Sequence, residues 1–308
     1  MPQPPARRLT VPAGLLVVAR LVAAGLGYLA VFTTTSLVLY FAGSALVPDP
    51  ERGTFGFISL GIAEAATIAL VLVLWRLVDG RWLVALGLER PFAGRQWLRG
   101  AGVAALMMGF IVLVWYTLVD GARWDTNTDA VRAAIVVVGG LVGFAIQGPA
   151  EEILFRGYIL ENIRAEWGPR WAVAVSALGF ALLHAPNPAF NSVALVNLVL
   201  FGVATALYKV RVDRGQLWGV FAIHTVWNWL QQVVFGLPNS GLPSTPEDAL
   251  FTVTPNQSLP DPIWGGGFGP EGTLAAALVL LALISASLRQ PARAEPFRSS
   301  RRRGTGRG

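Results

Sequence analysis

Residues 133–160 read AAIVVVGGLVGFAIQGPAEEILFRGYIL. The first 18 of them, Ala133 to Ala150, carry no charge, and about 20 apolar residues are what one helix needs to cross the hydrocarbon core of a bilayer. The run then meets two adjacent carboxylates, Glu151 and Glu152, and continues as a helical pattern through Arg156 to Leu160. Ionisable groups inside a span are expensive and mark functional sites by default. This one stretch therefore predicts a membrane helix and a chemical reason for placing carboxylates in it.

Outward from it, the pattern repeats. Uncharged runs, or runs with a single charge, cover 21–47, 53–75 with Glu64, 100–119, 171–184, 192–208, 217–235 and 272–288. They predict an all-α, multi-pass integral membrane helical bundle of about eight transmembrane helices with an intramembrane active-site cavity. The bundle forms one transmembrane domain over 1–288, its chemistry-bearing core is 100–235, and no second soluble domain is expected. The first run is too long for a signal peptide and reads as a retained span. Composition agrees, since only 14% of the 308 residues are charged where a soluble domain has about 25%. The chain has no Cys, which excludes thiol nucleophiles, disulfides and Fe–S clusters. His, carboxylates and hydroxyls remain for chemistry.

Lys and Arg accumulate in the cytoplasmic segments of multispan proteins. With the N-terminus inside and eight alternating spans, 21 of the 24 basic residues fall on the inner side, and Arg52, Arg123 and Arg132 fall outside. Both termini are then cytoplasmic, and the protein is integral to the cell membrane. Residues 236–271 are rich in Pro and Gly and contain no Lys or Arg, so they read as an external loop lying on the interface through Trp264. The Arg-rich tail 289–308 reads as disordered and resting on anionic lipid. Its partner is the bilayer, not nucleic acid.

The ionisable groups within the runs are Glu64, Glu151, Glu152, Arg156 and both histidines of the chain, His184 and His224. Asn228 follows His224 by one helical turn. At about 1.5 Å per residue, Glu151 and His184 lie about 14 and 20 Å from the inner ends of their segments, and His224 and Asn228 about 10 and 16 Å. One layer can therefore hold all four. Residues four apart share a helix face, so Glu152 reaches Arg156 as a structural ion pair. Glu151 is turned away from that pair, towards a cavity.

A carboxylate and an imidazole converging on one water can activate it. A second imidazole with an amide one turn on can donate to a developing oxyanion. These parts amount to a hydrolase for a carbonyl compound. Two His and a Glu, here His184, His224 and Glu151, are also the ligand set of a catalytic zinc site. Phe180 reads as packing beside the site. Glu64, with no partner visible in its own helix, reads as structural. Asn187, Asn191 and Asn197 read as loop and helix-start groups.

The residues resemble the three motifs of the CAAX protease and bacteriocin-processing (CPBP) family, also called the Abi or type II CAAX prenyl endopeptidase family. Its E-E-x-x-x-R is EEILFR at Glu151 to Arg156, followed by Gly157; its F-x-x-x-H is FALLH at Phe180 to His184; its H-x-x-x-N is HTVWN at His224 to Asn228. The resemblance implies a membrane endopeptidase that cleaves near the C-terminus of a membrane-attached protein or peptide, prenylated or not, through a cavity open to the cytoplasm. It implies Glu151 as general base with His184 helping to activate water, and His224 and Asn228 at the oxyanion. Family members are often labelled metalloproteases, and a metal-free, glutamate-dependent mechanism is also proposed for them. Both therefore stay open here: no required cofactor, or one divalent metal such as zinc. Outside the family reading, buried Glu and His also suit a proton-coupled transporter, although no inverted repeat is visible. A non-catalytic immunity or scaffold protein is the third class.

Overall fold

The computed structural model describes residues 13–47, 49, 53–118, 123–126, 129–245 and 248–291. Arg7, Arg8, Arg52 and the tail beyond residue 291 lie outside the described residues, as does any test of how that tail meets lipid. The fold is an all-α bundle of apolar helices, and the protein is an integral membrane protein. Helix α1 is Ala13–Ser44 and α2 is Gly53–Val73, followed by α3 at Ala93–Leu118. A short strand β1, Arg123–Thr126, precedes α4, Ala130–Glu152. Then come α5 at Leu160–Trp167, α6 at Pro169–Leu183, α7 at Ser192–Leu207 and α8 at Trp218–Asn228. Strand β2 is Phe251–Thr254, α9 is Asp261–Trp264 and α10 is Leu274–Leu288.

Five helices are long and apolar enough to cross a membrane: 14–44, 53–78, 93–117, 130–167 and 192–212. Pro169–Leu183 and Leu274–Leu288 are shorter apolar helices. Every run expected from the sequence is thus helical, while length and composition qualify five of them as spans. The segment expected to end near Leu160 instead continues to Trp167, because a π-helical segment, Ile153–Ile159, joins α4 to α5 without a break.

Lipid offers no hydrophobic gain when one apolar helix meets another, so close backbone packing through small residues holds such bundles together. At Gly100 of α3 an added Cβ would overlap the carbonyl oxygen of Gly219 in α8, and at Gly202 of α7 it would lie 2.6 Å from Cα of Ala177 in α6. Gly100→Ala is therefore expected to cost about 1–3 kcal/mol, since the obstacle is backbone and cannot rotate away. Gly102, with nothing within 4 Å of the added atom, is the matched control. Thermal unfolding of both variants in detergent measures the difference.

One end of the bundle is pinned by charge. Arg20 pairs with Asp79 at 3.3 Å, Lys209 with Glu161 at 2.6 Å, and Arg99 with Asp213. At the other end the long segment after α8 packs onto the bundle. Strand β2 pairs antiparallel with β1, Trp115 Nε1 donates to the Ile263 carbonyl at 3.0 Å, and Phe268 is fully buried. The segment folds onto the bundle because it carries its own apolar side chains and because Gly241, at φ +86°, sits directly against the Pro188 carbonyl.

Candidate active site

Helix α4 carries Gln147, Glu151 and Glu152 on its last two turns, with Pro149 between them. The π-helical turn that follows places Arg156 in a widened stretch of helix, a distortion frequent at functional sites. Gly148 lets α8 approach: a Cβ there would lie 3.0 Å from the Thr225 nitrogen and 3.2 Å from Cβ of His224. Thr225 Oγ1 then donates to the Phe144 carbonyl at 3.1 Å. Helix α6 ends at His184, which caps it. Three helices thus deliver one carboxylate and two imidazoles to a single place.

Each imidazole is oriented through Nδ1. His184 Nδ1 donates to the Phe180 carbonyl at 2.9 Å, and His224 Nδ1 donates to Glu152 Oε1 at 3.0 Å. A carbonyl or carboxylate oxygen only accepts, so both protons sit on Nδ1 and both Nε2 atoms face inward. Each Nε2 lies 3.9 Å from Glu151 Oε2. That oxygen is buried and has no hydrogen-bond partner. Glu151 Oε1 is held instead by Gln147 Nε2 at 2.5 Å. The two oxygens of one carboxylate therefore have separate tasks, one anchored and one turned to the histidines.

Glu152 and Arg156 form the expected ion pair, Oε2 to Nε 3.2 Å, with both side chains fully buried. The structure adds that Glu152 also fixes His224, so this pair is part of the site's scaffold. Phe180 packs directly beside the site. Its ring stacks under the Arg156 guanidinium at 4.3 Å and lies 4.8 Å from the His184 ring and 5.9 Å from that of His224.

Gln147 was not singled out from sequence. It accepts from Asn228 Nδ2 at 2.9 Å while donating to Glu151, and so ties the amide of α8 to the carboxylate of α4. The signal was an amide in an apolar run, one turn before Glu151, which a search for ionisable groups passes over. Gln147→Leu is expected to lower kcat by about 10²-fold with KM held, because a misplaced reacting group costs that much. Steady-state kinetics on any peptide the wild type cleaves checks it.

Two other expectations change. Asn197, set aside as a helix-start group, lines the same cavity as His184, His224 and Asn228. The helix-start group is Asn191, whose side chain caps Val193 and Ala194 at 3.0 Å. Glu64 does have a partner in its own helix: Thr67 Oγ1 donates to it at 2.9 Å, and Tyr28 of α1 donates at 2.8 Å. Asn187 remains a loop group, donating to the Ser240 carbonyl at 2.8 Å.

The donor chemistry of Glu151, His184 and His224 suits a divalent ion such as zinc. Ligands at about 2.0–2.2 Å from a tetrahedral ion stand only about 3.4 Å apart, closer than the 3.9 Å between Glu151 Oε2 and either Nε2. Among the described residues no group of three His, Cys, Asp or Glu is placed to hold an ion. The arrangement does not fit a metal as it stands, and no chemical step below passes through one.

Residues 133–230, which carry Glu151, His184, His224 and Asn228, match the family model of the type II CAAX prenyl endopeptidase Rce1-like proteins. Over this segment the chain resembles the CAAX protease family. Over 220 residues the chain is also 26% identical to the uncharacterized protein YyaK of Bacillus subtilis (strain 168), an alignment spanning 66% of this chain and 69% of that protein. The matched segment begins in α4 and ends in the π-helical turn after α8, Trp229–Val234. Glu64 and Glu271 lie outside it.

Proposed function

We propose that the chain is a membrane-embedded endopeptidase that hydrolyses a peptide bond near the C-terminus of a membrane-attached protein or peptide, using its own carboxylate and imidazoles. The observation that carries this reading is the pair of 3.9 Å separations between Glu151 Oε2 and the Nε2 atoms of His184 and His224. A water oxygen about 2.8 Å from both Glu151 Oε2 and His184 Nε2 makes two good hydrogen bonds across that spacing. Glu151 takes its proton as the oxygen attacks the scissile carbonyl. His224 is held at Nδ1 by Glu152, and when a second proton is on its Nε2 that N–H donates to the oxyanion. Asn228 has a second amide N–H for the same purpose, because Gln147 engages only one. Glu151 then returns the proton to the leaving amine, which restores the carboxylate.

The protein resides in the cell membrane with both termini cytoplasmic in this reading, and whether its substrate is prenylated follows from the experiment below. Membrane-protein C-termini are compared by proteomics in cells carrying the wild type or Glu151→Ala. Truncated C-termini that appear only with the wild type identify the substrates. Identical C-termini in the two strains, with purified wild type inactive on membrane-anchored peptides, overturn the proposal.

A further inference from the structure

The cavity beside the histidines runs on to residues that the catalytic reading does not use. It holds about 20 Å³, about the space of one water-sized group. His184, His224 and Asn228 border one part of it, and Asn197, Ser240 and Glu271 border the rest. Glu271 comes from a one-turn helix, Pro270–Gly272, in the segment folded over the bundle end.

Its carboxylate is buried among neutral donors. Gln231 Nε2 donates to Oε2 at 2.5 Å, the Ser240 backbone N–H donates to Oε2 at 3.3 Å, and Ser240 Oγ approaches Oε1 at 3.1 Å. Both N–H donors go to Oε2, which therefore accepts, while burial pushes the Glu271 carboxyl above its ordinary range. Among the described residues no Lys, Arg or His pairs with it, and residues 236–271 contain no basic residue. A cation entering beside it would supply the counter-charge that this buried carboxyl lacks.

The neighbouring amides point the same way. Asn197 Nδ2 donates to the carbonyls of Glu271 and Thr273 at 2.7 and 2.8 Å, which fixes the amide and leaves Oδ1 buried without a partner. Gln231 Nε2 is likewise spent on Glu271 and on the Pro238 carbonyl at 2.5 Å, and its Oε1 is unpartnered. Phe201 and Trp227 line the cavity together with Phe180, Leu198, Ala276 and Leu280, and an aromatic ring attracts a cation over its face. A carboxylate, a free carbonyl oxygen and aromatic walls around a space of one small group select a compact donor of positive charge.

We infer that the Glu271 end of the cavity is a subsite for a primary ammonium group of the substrate, a lysine side chain or a free N-terminal amine, beside the bond to be cut. The assignment of that ammonium to a substrate rests on the endopeptidase reading; the binding of the ammonium does not. The test has two arms on the full chain in detergent. In the first, ethylammonium is titrated against wild type and Glu271→Gln and followed by thermal shift, with guanidinium as the comparison cation. Saturable stabilisation at least about tenfold weaker in Glu271→Gln is expected, the size of one lost charge-assisted hydrogen bond. Equal responses of the two proteins overturn the subsite.

The second arm compares peptides carrying lysine or norleucine at single positions, each with a free or an acetylated N-terminus. A wild-type preference for the ammonium-bearing peptide, reduced about tenfold or more in Glu271→Gln, supports the subsite. The position of the effective amine identifies its source. Equal cleavage by the wild type of lysine and norleucine peptides, and of peptides with free and acetylated N-termini, overturns the subsite without needing any variant. Proportional losses on both peptides in Glu271→Gln also overturn it, leaving Glu271 as an anchor of its segment. Glu271-dependent ammonium binding with no cleavage of any peptide refutes the endopeptidase reading and leaves the subsite standing.

Discussion

Glu151→Gln removes peptide-bond cleavage, with kcat lowered by about 10²–10⁴-fold, the range supplied by a positioned general base. The substitution keeps the shape of the side chain and an oxygen for Gln147 Nε2, which donates to Oε1 at 2.5 Å in the native site. What it removes is the basic Oε2 that both histidines face at 3.9 Å. Folding should therefore be spared: the melting temperature in detergent stays near that of the wild type while turnover is lost. Full activity in this variant, on any substrate the wild type cuts, would sink the assignment of Glu151 as base. His184→Ala on the same assay separates the contributions, since that imidazole is held by the Phe180 carbonyl and not by Glu151.

The largest effect on stability belongs to Glu152→Ala. Arg156 is fully buried, its guanidinium nitrogens make no hydrogen bond, and its compensation is the Glu152 carboxylate at 3.2 Å with the Phe180 face at 4.3 Å. Removing one partner of a buried pair strands the other and costs about 3–5 kcal/mol. Against the 5–15 kcal/mol that holds a typical native domain together, this depletes folded protein. The loss also frees His224 Nδ1, so activity falls with it. Glu152→Gln combined with Arg156→Met removes both charges and is expected to recover most of the stability but not the activity. Thermal unfolding and cleavage, measured on the single and double variants, check both halves. A double variant no more stable than Glu152→Ala would show that the pair is not what Arg156 depends on.

The helices were legible because a bilayer imposes one length and one composition on every span, so uncharged runs flanked by charge mark them directly. Spacing within a helix was equally readable: Glu152 with Arg156, and His224 with Asn228, follow from the i,i+4 rule. Gln147 obeys that rule too, four residues before Glu151, and was passed over only because a neutral amide carries no charge to draw attention. Pairings across helices were not readable in this way. The Tyr28 to Glu64 bond spans 36 residues and the His224 to Glu152 bond spans 72, and nothing local to either residue specifies its partner.

By itself the sequence determined that the chain is a bundle of membrane helices, which groups within it are polar enough to do chemistry, and that three motifs occur in order. These follow from hydropathy and helical period, both properties of neighbours in the chain. Only the tertiary structure decided that Glu151 turns a single oxygen to the two histidines, that Glu152 serves His224 as well as Arg156, and that Asn197 and Glu271 line the same cavity. Close approach of backbones at small residues and the exclusion of water from the contacts decide those facts. They depend on which helices touch, and a linear pattern of polarity does not contain that information.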